Sequence, residues 1–376
     1  MRDINKVFED KMGEEVVNKI KDSSFNTLTP VLVDVFREKS KEITPVQLLK
    51  EYESRYDFYG PASIDQDKML KFRQIWANNL PEDFDMIELS PVTPFGACVA
   101  LTELSQDVRM TTIKKSEVIS DSTIALSLEA SRRRKILMKK KETMFNSVNL
   151  ATSQRLLRLQ AFDKKKGYLQ HFGIFGTITA GRGQGKNTFI LDTILRHVDQ
   201  WLNFIVQLQN YGYLFQDVKV TFNYIPLMEY ILKSYGVDRN IINKNSLLDN
   251  FDYFSKFNIP LPKEVANAQC INDIFGAEEN YKGISAKLSK LDEVVINGLR
   301  KKYPQISFCY EMDRKLGLGY FSGYCFHIFA KNKAGLEVPL VDGGVVDWTK
   351  LMLSDKMELA VTSSFGSELG QNSFII

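Results

Sequence analysis

The first part of the chain has apolar residues at helical spacing among charged ones. These positions recur every three to four residues between Lys, Asp and Glu, namely Val16, Val17, Ile20, Val31, Leu32, Val35 and Phe36. Thr29 and Pro30 are typical of the start of a helix, and Gly60-Pro61 ends the pattern. We therefore expect a helical extension over residues 1–57, followed by a core over residues 58–376.

The remaining sequence alternates helical and strand patterns. Helices are predicted at 65–80, 122–141, 187–211, 227–235 and 285–303, the first of them capped by Ser63 or Asp65. Strands are predicted at 86–92, 108–113, 148–162, 169–179, 218–225, 306–310, 320–330, 338–341 and 359–363. The strands follow one another as hairpins and meanders, with the helices in separate runs. This order favours an α+β fold, an antiparallel sheet flanked by helices, over a doubly wound sheet.

Composition adds mainly exclusions. The 376 residues carry 49 Lys+Arg against 46 Asp+Glu, which gives no general case for nucleic-acid binding. No apolar stretch is long enough to span a bilayer, and the acidic N-terminus is not that of a signal peptide, so we expect a soluble cytoplasmic protein without membrane partners. Four dispersed cysteines and three histidines predict neither a disulfide framework nor a metal site.

Two basic or glycine-rich segments have ordinary explanations. Residues 180–187 (AGRGQGKN) resemble a phosphate-binding loop, but Ala180 replaces its first glycine and Asn187 its magnesium-binding hydroxyl. A glycine turn before a helix explains them at least as well. The basic run at 132–141 fits a solvated helix end better than a nucleic-acid contact, because no aromatic residues are interleaved with it.

The hairpin between Arg158 and Phe172 is the strongest candidate for chemistry. It contains Gln160, a Lys-rich turn with Lys164, Lys165 and Lys166, and His171. An Arg on a sheet can clamp a phosphate through two parallel hydrogen bonds, and an aromatic ring on the next strand can stack on a base. These features alone fit many hairpins.

In order along the chain, however, they resemble the signature motifs of class II aminoacyl-tRNA synthetases. The helix at 65–80 with ELSP (88–91) resembles the first motif, and the hairpin resembles the second. GLGYFSGYCFHI (317–328), DGGVVD (342–347) and SFGSELG (364–370) resemble segments of histidyl-tRNA synthetases, the last being the third motif. SDST (120–123) stands where that subgroup has Pro-Glu-Gly-Thr. The resemblance spans roughly residues 58–370.

The resemblance implies a set of roles. Arg158 would bind the α-phosphate of ATP as the catalytic residue, and Phe172 would stack on the adenine, with Gln160 and His171 also at the nucleotide. The remaining implied positions would hold the substrate, namely Asp121, Thr123, Tyr320, Ser322 and Gly323. ATP and Mg²⁺ would be the cofactors of such an enzyme, and the first motif implies a homodimer.

The departures from the family pattern are as informative. The Glu of the second motif is Gln160, and the Arg that ends the third motif is replaced by Gln371. The Arg before GLDYYTG is Leu316, its Asp is Gly319, and the two residues that hold histidine are Ile174 and Ile178. Histidine is therefore not the expected substrate. No C-terminal anticodon-binding domain follows, so conventional tRNA charging is not expected.

Three hypotheses follow from these residues. The first is an adenylate-forming ligase that activates a small amino or carboxylic acid. The second is a non-catalytic subunit, similar to the histidyl-synthetase-like regulatory subunit of ATP phosphoribosyltransferase, with a small ligand and a protein partner. A third, RNA binding through residues 132–141, ranks last. Arg158, Phe172 and Asp121 favour the first hypothesis, whereas the missing Arg and the lost histidine contacts favour the second.

Overall fold

A computed structural model describes residues 10–160, 169–183, 188–246, 248, 251–276 and 279–375. Four helices come first, and we call the segment 10–59 that contains them the N-terminal arm: α1 (Glu14–Asp22), α2 (Phe25–Lys41), α3 (Pro45–Ser54) and α4 (Tyr56–Tyr59). The Ser24 side chain caps α2, accepting from Thr27 N–H, so that helix begins before the predicted start at Thr29-Pro30. The boundary at residue 57 stays a prediction.

Eleven strands are present in the described residues: β1 (Asp85–Met86), β2 (Val92–Pro94), β3 (Ser116–Val118), β4 (Val148–Leu157), β5 (His171–Arg182), β6 (Gln216–Tyr224), β7 (Glu264–Val265), β8 (Ser307–Glu311), β9 (Tyr324–Lys331), β10 (Glu337–Val346) and β11 (Glu358–Gly366). Nine of them form one sheet in the order β1-β4-β5-β11-β10-β9-β6-β8-β7. Most neighbours are antiparallel, as predicted, but β1–β4 and β6–β8 are parallel. The strands β2 and β3 pair separately.

The helices that follow the arm surround this sheet: α5 (Gln66–Asn78), α6 (Ala97–Leu101), α7 (Ser122–Leu137), α8 (Thr188–Gln209), α9 (Ile225–Ser234), α10 (Arg239–Asn245), α11 (Tyr253–Lys256), α12 (Ala268–Phe275), α13 (Lys282–Leu291), α14 (Asn297–Lys302), α15 (Trp348–Leu353) and α16 (Ser367–Phe374). A π-helical turn, Asp292–Ile296, joins α13 to α14, so the predicted helix at 285–303 is continuous but not uniformly α-helical.

The two faces of the sheet are covered differently. Helix α7 lies on what we call the front face, where a Cβ on Gly176 would come within 2.7 Å of Ser122 Oγ. Helix α8 covers the back face, where Gln200 donates to Thr177. The largest aromatic contacts lie on this back face, where the Trp76 ring of α5 stacks on Phe175 at 4.2 Å. The larger part of the core therefore lies between the sheet, α5 and α8, whereas α7 packs a smaller apolar layer, including Leu126, on the front face.

Two local predictions are wrong. The predicted strand at 108–113 is a 3-10 turn, Gln106–Val108, and then a single bridge from Thr111 to Glu117. The chain turns back here because Thr112 N–H bonds to the Ser116 carbonyl. The basic run is also not wholly solvated, because Arg134 is completely buried. Lys164, Lys165, Lys166 and Asn187 lie outside the described residues. No helix among the described residues is long and apolar enough to cross a membrane.

Candidate functional site

The start of α7 organises the candidate site. Asp121 is its N-cap, and the carboxylate Oδ1 accepts from the backbone N–H of Thr123 at 2.9 Å and from the Thr123 hydroxyl at 2.6 Å. The short side chain of Asp suits this position because it can satisfy N–H groups that have no partner within the helix. One carboxylate oxygen is thus fixed by the helix, and the other faces away from it.

Tyr320 reaches the same carboxylate from the loop before β9. The Tyr320 hydroxyl donates to Asp121 Oδ2 at 3.0 Å and lies 2.5 Å from Thr123 Oγ1. Burial first, and then the Asp121 charge, raise the pKa of Tyr320 well above its ordinary value, so the hydroxyl stays protonated. The structure therefore brings together three predicted substrate residues that are up to 199 positions apart in the sequence.

Arg158 and Phe172 lie beside this group. Arg158 Nη2 is 3.8 Å from Asp121 Oδ2, and Arg158 Nε donates to the Ser120 carbonyl at 2.9 Å. The guanidinium lies 5.3 Å from the centre of the Phe172 ring, within cation–π distance. The second-motif hairpin and the start of α7 thus meet at one place, which brings a cation, a carboxylate and an aromatic ring together.

The other predicted residues lie apart from this group. His171 is on the back face, where Nε2 donates to the Gly60 carbonyl at 2.9 Å and Nδ1 therefore accepts from Arg155 at 2.9 Å. Gln160 is half-buried just beyond the end of β4. The Ser322 hydroxyl points to Asp347 Oδ1 at 2.9 Å.

A cleft adjoins the far side of Tyr320. It has a volume of about 440 Å³ and is lined by Glu103, Glu229, Arg239, Tyr320, Ser322 and Asp347. Arg239 pairs with both glutamates, so the cleft carries little uncompensated charge. Gly323 is buried nearby, where a Cβ would come within 3.2 Å of Val345. Gly323 therefore allows close strand packing, which is a structural role.

A polar row on the front face was not identified from the sequence. Asp342 on β10 accepts from Arg314 Nη2 at 2.6 Å, and His327 Nε2 lies 3.5 Å from the same Asp342 oxygen. His327 Nδ1 in turn lies 3.0 Å from Glu311 Oε2. One sequence feature pointed to this row, the acid Asp342 directly before the two glycines of DGGVVD. By strand alternation, Asp342 faces the same side of the sheet as His327.

The charges of this row hold one another in the ionised form. Burial opposes ionisation of Asp342, but Arg314 and then His327 outweigh it and lower the pKa of Asp342 to about 2. Burial and Arg314 lower the pKa of His327, yet Asp342 and Glu311 outweigh them and raise it. Because both ring nitrogens face carboxylates, a doubly protonated His327 satisfies both. The row is thus a fixed set of alternating charges beside the Tyr320 loop.

The third motif has a different character. Gln371 is buried on α16, and its Oε1 has no hydrogen-bond partner in the described part of the chain. Ile174 and Ile178, which replace the histidine-binding residues, lie on the front face of β5 together with Gly176. Ile178 is completely buried, so of these two isoleucines only the partly buried Ile174 can present apolar surface, and no cation stands at position 371.

No metal site is apparent in the ranges that the structure describes. No three His, Cys, Asp or Glu side chains are grouped there as a set of metal ligands. We therefore assign no residue to Mg²⁺.

Comparisons with known proteins find no match by sequence but several matches by fold. No protein-family model and no curated protein sequence matches this chain. A solved structure of an ATP phosphoribosyltransferase regulatory subunit/histidyl-tRNA synthetase from Bacillus halodurans matches with a TM-score of 0.60 at 15% identity, over 84% of this chain and 82% of that one. A histidine–tRNA ligase subunit from Alicyclobacillus acidocaldarius matches with a TM-score of 0.60 at 10% identity, over 83% and 95%.

A third structure agrees with these two. The histidyl-tRNA synthetase from Nostoc sp. matches with a TM-score of 0.55 at 14% identity, over 80% of this chain and 69% of that one. The chain therefore has the class II synthetase-like fold shared by histidyl-tRNA synthetases and related regulatory subunits. At these identities the similarity shows the fold, and the function has to be argued from the site.

Proposed function

We propose that this chain binds a small ligand with an anionic group and an amine, such as an amino acid, on the front face and does not activate it. The observation that carries the proposal is the convergence of Arg158, Asp121 and Tyr320 at the start of α7. A guanidinium favours a carboxylate or phosphate, and Asp121 and Asp342 favour an amine. The ligand would lie between these charges, over the apolar surface of β5.

The proposal excludes catalysis because the site has too little positive charge. Adenylate formation needs preorganised cations at the α-phosphate and at the leaving pyrophosphate. Arg158 could serve the first, but its Nε is already engaged by the Ser120 carbonyl. At the position where the resembling enzymes have the second cation, this chain has Gln371, which is neutral and buried. In this proposal the protein is a regulatory or scaffolding subunit in the cytoplasm with a protein partner, as the likeness to a regulatory-subunit structure supports.

Adenylate formation is the second candidate, and one observation favours it. The Arg158 guanidinium lies 5.3 Å from the centre of the Phe172 ring, so a base next to this ring would have its α-phosphate near a cation. ATP would then lie on Phe172 with its phosphate at Arg158, and it would supply the adenylyl group. The residues present fit the base and one phosphate, and they leave the terminal phosphates without a described partner.

Binding and catalysis can be measured separately. We expect calorimetry and thermal shift with a panel of amino acids, ATP and pyrophosphate to detect binding of at least one of them to the full-length protein. We expect ATP–pyrophosphate exchange with the same panel to stay at the level of a protein-free blank. Exchange above the blank would establish the second candidate instead, and no binding of any of these compounds would contradict both.

We also infer that two copies of this chain associate through the N-terminal arm. Among the described residues, 15 of the 30 exposed large apolar side chains lie between Met12 and Tyr59, whereas only Val17 and Phe58 of this segment are buried. Soluble monomers seldom expose large contiguous apolar patches, so this concentration of exposed apolar side chains in one segment indicates an interaction surface. The arm therefore needs a covering surface.

A second copy of the chain is the occupant that fits best. The body of the protein also exposes apolar side chains that an arm could cover, among them Leu70, Met86, Val92 and Val99. The arm touches its own body through Phe25, whose ring lies 4.9 Å from that of Phe95. A two-fold arrangement would let each arm cover the other body. The arm carries ten acidic and eight basic residues in positions 10–59, which does not suit an anionic membrane or nucleic acid.

The double substitution Val35→Glu with Phe36→Glu tests this association. Both side chains are exposed on α2, so a folded monomer tolerates the charges, but an apolar interface does not. We expect light scattering to give twice the chain mass for the unmodified protein and the single-chain mass for the variant. Leu336→Glu, at an equally exposed position on the β9–β10 turn, is the control and should stay dimeric. A monomeric unmodified protein would contradict the inference.

A further inference from the structure

Arg109 is a buried cation for which the described residues provide no ion-pair partner. Three arginines of the described chain are almost completely buried, Arg109, Arg134 and Arg314. Arg134 pairs with Glu358, and Arg314 pairs with Asp342. Arg109 is 6% exposed, its Nε has no hydrogen-bond partner, and no carboxylate of a described residue lies within ion-pair distance of it. A buried charge of this kind is costly unless something pairs with it.

The backbone places Arg109 next to the candidate site. Leu159 N–H donates to the Val108 carbonyl at 3.0 Å. Arg109 follows Val108 and Arg158 precedes Leu159, so this hydrogen bond brings the backbones at the two arginines close together. The neighbouring segment is held the same way, since Leu157 N–H donates to the Ile119 carbonyl at 3.0 Å. Three stretches of chain that carry Arg109, Asp121 and Arg158 therefore run side by side.

The charges of Arg109 and Asp121 both act on the Cys98 thiol. Burial raises the pKa of Cys98, the Arg109 charge lowers it, and the Asp121 charge raises it. Cys98 is a weak hydrogen-bond partner that leaves the Arg109 charge uncompensated. Glu117, which is also buried, is committed elsewhere, since it accepts from the backbone N–H groups of Gly96 and Cys98 and from Gln106.

We propose that Arg109 and Arg158 together bind one anionic group of the ligand, a carboxylate or a phosphate. This inference rests on the proposed ligand site and adds to it a second cation. Arg158 is held partly by Asp121, so its charge is shared, whereas Arg109 contributes a charge that nothing on the described chain neutralises. A second guanidinium would also explain how the site could hold an anion although position 371 is uncharged.

Substituting Arg109→Gln tests the proposal with two readouts of opposite sign. Without ligand, removing an uncompensated buried charge should raise Tm, by about 2 °C. With ligand, losing a charge-assisted contact should weaken binding about 10–100-fold. The probes are pyrophosphate for a phosphate group and a panel of L-amino acids for a carboxylate, so the probe that loses affinity identifies the chemistry. Arg132→Gln, at an exposed position on α7, is the matched control and should change neither readout.

The outcomes distinguish this inference from the proposed function. A purely structural Arg109 would give a lower Tm and unchanged affinity in the variant, which overturns the inference alone. Unmodified protein that binds none of the probes overturns the inference and the proposed function together. Near-ultraviolet circular dichroism of the variant checks that the fold is retained. Arg109→Lys keeps the charge but loses the planar guanidinium that can form two parallel hydrogen bonds, so it should show an intermediate loss of affinity.

Discussion

Arg134→Ala is expected to lower the free energy of unfolding by about 3–5 kcal/mol, the usual effect of breaking a buried ion pair. Arg134 Nε and Nη2 donate to the two oxygens of Glu358, each at 2.8 Å, and both side chains are inaccessible to solvent. The guanidinium also donates to the carbonyls of Met144 and Asn146, which bind the end of α7 to the chain before β4. The alanine variant would leave the buried Glu358 carboxylate with only the longer contact to Arg182, whose Nε lies 3.9 Å from it. Urea denaturation followed by far-ultraviolet circular dichroism measures the change.

Two further variants show whether the charge or the volume matters. Arg132→Ala, two residues away, removes a solvent-exposed arginine and should change stability by less than about 0.5 kcal/mol. The double substitution Arg134→Met with Glu358→Leu removes both charges and should recover most of the lost stability. A loss below about 1 kcal/mol in Arg134→Ala would show that Glu358 is not effectively desolvated.

Arg158→Ala is expected to weaken ligand binding by about 10–100-fold while the protein stays folded, because a contact to a charged group is worth about 1.5–3 kcal/mol. About a quarter of the Arg158 side chain is exposed, and among the described residues this side chain donates a hydrogen bond to the Ser120 carbonyl. The fold therefore depends little on it. Calorimetry with whichever of ATP, pyrophosphate or the amino acids binds the unmodified protein measures the loss.

Arg155 provides a control three residues earlier on the same hairpin. It lies on the back face, where it contacts His171 and Glu368. We expect Arg155→Ala to leave affinity within about twofold, because its charge does not face the ligand space. Equal losses in both variants would indicate a general disturbance of the hairpin, and unchanged affinity in Arg158→Ala would remove this residue from the site.

Much of the fold could be predicted because helix caps and hairpins depend on short stretches of sequence. Asp65 caps α5 as expected, and the pairing of β4 with β5 follows from a single hairpin. The parallel pairing of β1 with β4 could not be read from the sequence, because partners separated by some 60 residues leave no periodic signal. Arg134 shows the same limit, since its partner Glu358 is 224 residues away.

The candidate site was only partly accessible to sequence reasoning. Asp121, Arg158, Phe172 and Tyr320 were all named through resemblance to motifs of the synthetases. Arg109 and Arg314 were missed because each stands in an unremarkable polar stretch, and their burial results from strands and loops packed over them. Periodicity assigned Arg109 to a strand, whereas the real chain turns at Gln106–Val108 and directs it inward.

The sheet ends on each side in a strand of two residues, β1 and β7. Long unpaired strand edges act as templates for the addition of further chains, and very short ones do not. This nine-stranded sheet therefore offers almost no free main-chain donors and acceptors at its rim. Growth by edge-to-edge addition, the route to fibrils, is therefore disfavoured at the two terminal strands.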